Sequence, residues 1–158
     1  MGEHDELLAS LKEEEQHLQF TKFTNETALE LGMRLVETAR RKQLVVTIDI
    51  TRSGQQLFHC AMPGTSQDND EWIQRKNRVV YRFGHSSYYM GVNYRNQKTT
   101  IQEKALLDPA LYAPHGGAFP ITIRDVGVVG TVTVSGLPQE EDHKLVVGVL
   151  KEFLNASW

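Results

Sequence analysis

The stretch HGGAFPITIRDVGVVGTVTVSG, residues 115–136, decides the fold. A glycine pair opens it, a short apolar run follows, and Asp125-Val126-Gly127 then predicts a turn into a long strand. Gly130 interrupts that strand, which is typical of a bend or a close backbone approach. The alternating valines predict one shared face, made of Val126, Val128, Val132 and Val134. We therefore expect this stretch to form the centre of an antiparallel sheet.

Helical and strand patterns precede this stretch. Residues 5–17 predict a helix with a charged face, and an apolar bridge that could form a short strand follows at Leu18, Phe20 and Phe23. Thr24 and Asn25 predict the start of a second helix. Residues 44–51 and 55–62 alternate as two strands joined by a tight turn, which predicts a hairpin.

The remaining segments are mainly helical. Residues 70–94 predict a helix that is broken near Gly84, residues 102–107 a short helix, and the segment after Gly136 a final helix. Capping of that helix is the simplest role for Asp142. This order predicts an α+β fold, in which helices pack against one antiparallel sheet. We expect residues 1–158 to form one domain, with residues 1–23 as an N-terminal helical extension and bridging segment.

The composition and charge of the chain exclude several classes of function. The chain has 158 residues and a formal net charge of −3, which does not predict binding to nucleic acid. Its single cysteine, Cys60, excludes an intrachain disulfide and a cysteine-rich zinc site. The acidic N-terminus does not resemble a signal peptide, and no apolar window has the length of a membrane span. We therefore expect a soluble, cytoplasmic protein that does not bind membranes.

Several blocks of sequence resemble a known family. These are GGAFPI followed by VGVVGTVTVSG, the final helix with Asp142-His143, and WIQRKNRVVYRFGHSSYYMG in the middle of the chain. Together, over roughly residues 18–155, they resemble the haem-degrading, GlcG/HbpS-like domain family, and the middle block resembles its small stand-alone branch. The resemblance implies a profilin-like fold with a five-stranded antiparallel sheet and assembly into dimers or higher oligomers. It also implies haem as a candidate ligand, because some relatives bind it.

The glycine-rich loop is the first candidate for ligand binding. Gly116 and Gly117 could present backbone N–H groups to an anionic or planar ligand, although a tight strand entry without a ligand explains them equally simply. Phe119 follows in the same loop. His115 precedes the pair, and its neutral imidazole could coordinate iron, whereas a loop histidine without a task is the plainer alternative.

Other candidates lie in the middle block. His85, Ser86 and Ser87 follow the predicted helix break and could face the same crevice as His115. The serines suit hydrogen bonding better than nucleophilic attack, because no nucleophile-elbow motif surrounds them. Positive charge on this segment could bind carboxylates or phosphate, or could pair with acidic residues: Arg75, Lys76, Arg78 and Arg82. Trp72 could contact a planar ligand, although aromatic residues at helical spacing usually belong to a core.

Three functional hypotheses remain open. The first is an oligomeric protein that binds a small anionic or planar ligand, with haem or a related tetrapyrrole as the leading candidate. The second is an enzyme acting on a small anionic metabolite, with His115 or His85 as acid and base. The third is a ligand-free structural or adaptor oligomer. The scattered histidines predict no protein-bound metal site, and no catalytic residue can be assigned.

Overall fold

Within residues 2–155, which the computed structural model describes, the chain forms six helices and four strands. The helices are α1 (Asp5–His17), α2 (Asn25–Arg41), α3 (Gln67–Phe83), α4 (Ser87–Asn96), α5 (Ile101–Ala105) and α6 (Gln139–Phe153). The strands are β1 (Thr47–Arg52), β2 (Gln55–Ala61), β3 (Ala118–Ile123) and β4 (Gly127–Ser135). The α+β class predicted from the sequence is confirmed.

The four strands form one antiparallel sheet in the order β2-β1-β4-β3, with β4 at its centre as predicted. The expectation of five strands is wrong for the described residues. The bridging segment contributes only an isolated parallel bridge between Phe20 and Ile123. Because α1 ends at His17 and α2 begins at Asn25, the few residues between them cannot form a full strand beside β3.

A β-bulge changes which valines of β4 face the core. Ile121 pairs with Gly130 but Thr122 pairs with Val128, so Val129 is an extra residue. Val132 and Val134 are fully buried and Val129 packs against the same core, whereas Val128 is 39% exposed and Val126, before the strand, is 71% exposed. The prediction of one face shared by four valines is therefore wrong, because the bulge reverses the alternation.

Gly130 permits the close backbone approach that the sequence predicts. A Cβ atom at this position would lie 2.1 Å from the carbonyl oxygen of Thr51 on β1. Gly32 of α2 has a similar role, because a Cβ atom there would lie 2.4 Å from the ring of Phe58 on β2. These two glycines bring neighbouring elements closer than any other residue would allow.

The two faces of the sheet differ in polarity. One face packs its aliphatic side chains, including Ile48 and Val132, against α2 and α6 in the main hydrophobic core. The other face lies under α3 and carries buried polar side chains: Thr47, Asp49, Thr131, Thr133 and Ser135. Thr133 donates a hydrogen bond to the amide oxygen of Asn77, and the hydroxyls of Tyr81 and Thr131 are 3.3 Å apart. We call this set, with the α3 side chains that bind it, the polar layer.

The predicted break near Gly84 is confirmed. Gly84 ends α3 with a left-handed backbone (φ 72°), and the Ser86 hydroxyl then accepts the Tyr89 N–H at the start of α4. After this break α4 packs against α1: Leu11 of α1 is buried with Tyr88 and Val92 of α4.

Acidic side chains of α1 also bind the body of the protein. Glu15 accepts hydrogen bonds from the Ser86 N–H at 2.9 Å and contacts His85 Nδ1 at 2.7 Å. Glu14 contacts Nε2 of the buried His143 at 2.8 Å. The charged face of α1 is therefore only partly a solvated surface. No helix in residues 2–155 is long and apolar enough to cross a membrane.

Candidate functional site

A cleft of about 380 Å³ lies between α3, the loop before β3 and the turn that leads from β4 into α6. This volume falls in the range of small-molecule sites. We call it the His115 cleft, and its walls are formed by Asp68, Asn69, Trp72, Lys76, His115, Ser135, Gly136, Leu137, Gln139 and Asp142. Three of the residues predicted from the sequence therefore meet in one place: Trp72, Lys76 and His115.

His115 places a partly buried imidazole in the wall of this cleft. Its ring centroid lies 5.5 Å from that of Trp72, with the two planes at 79° to each other. Burial lowers the pKa of His115 below its ordinary value of 6.5, and the positive charges of Lys76 and Arg75 lower it further. At neutral pH the imidazole is therefore uncharged, and one ring nitrogen can accept a proton or coordinate a metal.

Lys76 and Asp142 form a buried ion pair beside His115. Lys76 Nζ lies 3.1 Å from Asp142 Oδ2, and the two side chains are only 4% and 2% exposed. Burial lowers the pKa of Lys76 and raises that of Asp142, while the attraction between them opposes both changes. The proton that they share is consequently held less firmly by the amine than in an exposed lysine.

Backbone groups complete the surroundings of this ion pair. Lys76 Nζ donates to the carbonyl oxygen of Val134 at 3.3 Å. The Asp142 carboxylate accepts the N–H groups of Leu137 at 2.9 Å and Gly136 at 3.4 Å. Asp142 thus binds the turn that precedes α6, which extends the capping role expected from the sequence. The ion pair also joins α3 to α6 at the end of β4.

The arginines of α3 do not form the predicted basic cluster for anions. Arg75 stacks on the Trp72 ring at 4.3 Å and donates to the carbonyl oxygen of Pro109 at 2.8 Å. Arg78 donates to the carbonyl oxygen of Leu111, and Arg82 is exposed outside the cleft. Because Arg75 and Arg78 bind the 108–114 segment, Lys76 is the one member of this group that lines the cleft.

Gly116 and Gly117 pack against the backbone next to the cleft. The Gly116 N–H donates to Gln139 Oε1 at 3.0 Å, so this group is already bound by the protein. A Cβ atom would lie 2.2 Å from the Gln139 carbonyl oxygen at Gly116, and 2.3 Å from the Val134 carbonyl oxygen at Gly117. Gly117 also has a φ of 138°, which favours glycine. Tight backbone packing therefore explains the pair better than N–H groups facing a ligand.

The other predicted residues lie outside the His115 cleft. His85 lines a separate, smaller cleft between α1 and the β3–β4 hairpin, so the single crevice expected for both histidines is divided in two. Ser86 caps α4, and the buried Ser87 hydroxyl accepts the Ala118 N–H at 3.0 Å. Phe119 belongs to the main core. These three side chains hold elements together and do not face the His115 cleft.

Asp142, Gln139 and Asp68 also line this cleft, and the sequence predicts no site role for them. The sequence offered a partial clue for Asp142, because an acidic residue in the first turn of a helix can bind nearby N–H groups. Its pairing with Lys76, 66 residues away, depends on the tertiary fold. Nowhere in residues 2–155 do three histidine, cysteine or acidic side chains gather in a way that could hold a metal ion.

Comparison with known proteins identifies the family. The family model described as "Haem degrading protein HbpS-like" matches residues 23–151. The chain belongs to the HbpS-like family. A UPF0303 protein of Streptomyces coelicolor is 56% identical over 147 residues, which cover 93% of each chain. The resemblance found in the glycine-rich, middle and final blocks is therefore confirmed.

Solved structures support the same fold. The crystal structure of the Ybr137w protein matches with a TM-score of 0.87 and 37% identity, covering 94% of this chain and 87% of that one. The crystal structure of a PduOC–haem complex matches with a TM-score of 0.67 and 17% identity, covering 81% of this HbpS-like chain and 92% of PduOC. The PduOC match shows the shared fold, and the haem is a property of that complex.

Proposed function

We propose that this HbpS-like chain is an oligomeric protein that binds a small ligand in the His115 cleft. Haem or a related tetrapyrrole is the leading ligand, and a cytoplasmic location belongs to the same proposal. The observation that carries it is the partly buried His115 imidazole beside the Trp72 ring in an open cleft. The family and the haem bound by the structurally similar PduOC support this choice of ligand.

The residues of the cleft suit the chemistry of haem. A neutral imidazole can coordinate haem iron, and His115 would be the residue to do so, because burial and nearby cations disfavour its protonation. Trp72 provides an aromatic surface in the wall of the cleft, against which a planar ring can stack. A bound haem would supply an iron centre capable of electron transfer, while the protein would hold and orient it.

Titration with haemin tests this proposal. We expect a saturable shift of the Soret band at low micromolar protein, and His115→Ala should weaken binding by about tenfold or more. His17→Ala is the matched control, because His17 lies at the exposed end of α1 outside the cleft. The control should bind haemin as the wild type does. Absence of a Soret shift in the wild type, or equal binding by all three proteins, would contradict the proposal.

An enzyme acting on a small anionic metabolite is the second candidate. The observation in its favour is that His115, a potential acid and base, shares the cleft with the cationic Lys76. His85 suits this role less well because Glu15 already binds its Nδ1 atom. Turnover that His115→Ala abolishes and His85→Ala preserves, with both variants folded, would support this candidate.

A purified oligomer that carries no ligand and binds none would instead support an adaptor role.

A further inference from the structure

Lys76 is one of the residues that line the His115 cleft. The residue is 3% exposed, and its Nζ atom contacts one carboxylate oxygen of Asp142 and one backbone oxygen of Val134. A structural ion pair can explain these contacts, but it does not require a position in the wall of a cleft of about 380 Å³. Burial lowers the pKa of this amine against the attraction of Asp142, and desolvated lysines can attack carbonyl groups.

Gly117 packs against the end of the Lys76 side chain. A Cβ atom at position 117 would lie 2.8 Å from Lys76 Nζ and 3.3 Å from its Cδ atom. Any other residue would therefore press against the end of the lysine side chain. His115, two residues earlier on the same loop, lines the cleft and carries a neutral imidazole that can accept a proton. One loop thus packs against the lysine side chain through Gly117 and provides a base in the same cleft through His115.

We propose that Lys76 forms a covalent imine with a small, uncharged aldehyde or ketone that enters the His115 cleft. Asp142 and His115 move the protons that the reaction requires. The inference rests on the proposed function only in taking this cleft as the ligand site, and it does not require haem.

The first half of the reaction is attack by the amine. The Lys76 ammonium gives one proton to the Asp142 carboxylate across the 3.1 Å contact, which leaves a neutral amine. The nitrogen electron pair then forms a bond to the carbonyl carbon. The π electrons of the C=O bond move onto oxygen, which takes the proton back from Asp142. The product is a carbinolamine whose nitrogen is still protonated. Burial favours the first step, because it lowers the pKa of Lys76 and raises that of Asp142.

The second half is loss of water. The neutral His115 imidazole takes one proton from the carbinolamine nitrogen and returns it to the hydroxyl group. That group leaves as water while the nitrogen electron pair forms the C=N bond. One ammonium and one carbonyl compound have become one iminium and one water, so no oxidant or reductant is needed. The positive iminium that results remains next to the Asp142 carboxylate.

The walls of the cleft indicate which carbonyl compounds fit. Asp142 places a carboxylate against the amine of Lys76, and Asp68 adds a second carboxyl group to the wall of the same cleft. A carboxylate attached directly to the reacting carbonyl group, as in an oxo acid, would lie next to Asp142 and be repelled by it. Trp72 and Leu137 offer apolar surface to a short carbon chain. The favoured partner is therefore an uncharged aldehyde or ketone.

Reductive trapping tests the inference. The full-length protein is incubated at pH 7 with limiting butanal and borohydride, which converts an imine to a stable butyl-lysine, and the labelled residue is located by peptide mass spectrometry. Lys144 is an internal reference, because its side chain is 63% exposed and its acidic neighbours raise its pKa. We expect labelling at Lys76 to exceed that at Lys144 by about tenfold or more, and pyruvate to label Lys76 less than butanal does.

Variants test the assigned roles. Lys76→Arg should abolish the label at position 76 while retaining a positive charge. His115→Ala should slow labelling of Lys76 by about a hundredfold, whereas His17→Ala should not change it. Label spread over exposed lysines with none at Lys76 would overturn the inference and leave a structural ion pair only. Because the label is mapped in the wild type, this outcome does not depend on the folding of a variant.

The two experiments also separate the two proposals. Labelling of Lys76 without haemin binding would support the imine and reject haem. Haemin binding without labelling would reject the imine alone. Failure of both would remove the His115 cleft as a ligand site.

Discussion

At the scale of single residues, burial determines the chemistry of the cleft. It disfavours charge on His115, Lys76 and Asp142, although these groups differ in type. The effect is an uncharged imidazole and a weakened hold on the proton of the ion pair. Both results suit a site that binds ligands or transfers protons at neutral pH. They also affect stability, because the unfolded chain lacks the burial that causes them.

The titration of His115 should reflect this burial. We expect the midpoint of its imidazole resonance, followed by NMR, to lie below 6.5. As pH falls below about 6.5, the unfolded chain takes up a proton at this position before the folded protein does, so His115 lowers stability there. The free energy of unfolding should therefore fall less in His115→Gln than in the wild type between about pH 7 and about pH 5. A midpoint at or above 6.5 would contradict this explanation.

Removal of one member of the buried ion pair should destabilise the protein strongly. Lys76→Met leaves the Asp142 carboxylate buried without its cation, and we expect a loss of about 3–5 kcal/mol in the free energy of unfolding. The double variant Lys76→Met, Asp142→Leu should lose less than the sum of the two single variants, because no buried charge remains unpaired. Urea unfolding measures all three values. Strict additivity would show that the two side chains do not interact.

At the scale of helices and strands, glycines set the spacing between neighbours. Because Gly130 of β4 lacks a side chain, the Thr51 carbonyl group of β1 can come close to it, next to the β-bulge. Gly148 of α6 differs, because a Cβ atom there would meet nothing within 4 Å. The two positions therefore allow the same substitution to be compared in opposite environments.

Alanine should have opposite effects at these two glycines. Gly130→Ala forces a Cβ atom against a backbone oxygen, and we expect it to lower the free energy of unfolding by about 1–3 kcal/mol. Gly148→Ala should raise the free energy by about 0.5–1 kcal/mol, because alanine favours the helix. Thermal and urea unfolding measure both changes. Equal stability of Gly130→Ala and the wild type would mean that β1 and β4 can separate without cost.

At the scale of the whole molecule, one end of the sheet is open. β2 is an edge strand whose only sheet neighbour in the described residues is β1. The adjacent helix α2 exposes Leu29 and Met33, the latter by 59%. An unpaired strand edge beside apolar side chains is a surface that a second copy of the chain can cover. We place the subunit contact of the proposed oligomer here.

Light scattering tests this assembly. The wild type should have the mass of two or more chains of 17.9 kDa each. Met33→Glu introduces a charge into the contact and should shift the protein to monomer. Leu106→Glu is the matched control, because Leu106 is 86% exposed on a different part of the surface. A monomeric wild type would remove oligomerisation from the proposed function, and dissociation by both variants would place the contact elsewhere.

Sequence patterns revealed the elements of this fold better than their distant contacts. Periodicity located the helices, and Gly84 marked the break between α3 and α4. The bulge at Val129 could not be foreseen, because the valine pattern continues through it while the pairing of β3 shifts. Of the candidate site residues, Trp72, Lys76 and His115 line one cleft. Contacts such as Lys76 with Asp142 and His85 with Glu15 join residues 66 and 70 positions apart, and no local pattern encodes them.

The polar layer beneath α3 affects how the stability of the protein changes on cooling. Apolar contacts weaken on cooling because their driving force near room temperature is entropic. Hydrogen bonds such as that between Thr133 and Asn77 do not depend on this force and are directional. Near freezing, the aliphatic face of the sheet should therefore lose more of its stabilisation than the polar layer that holds α3. Since Trp72 and Lys76 lie on α3, the His115 cleft should keep its shape at low temperatures at which the packing of the aliphatic core has already weakened.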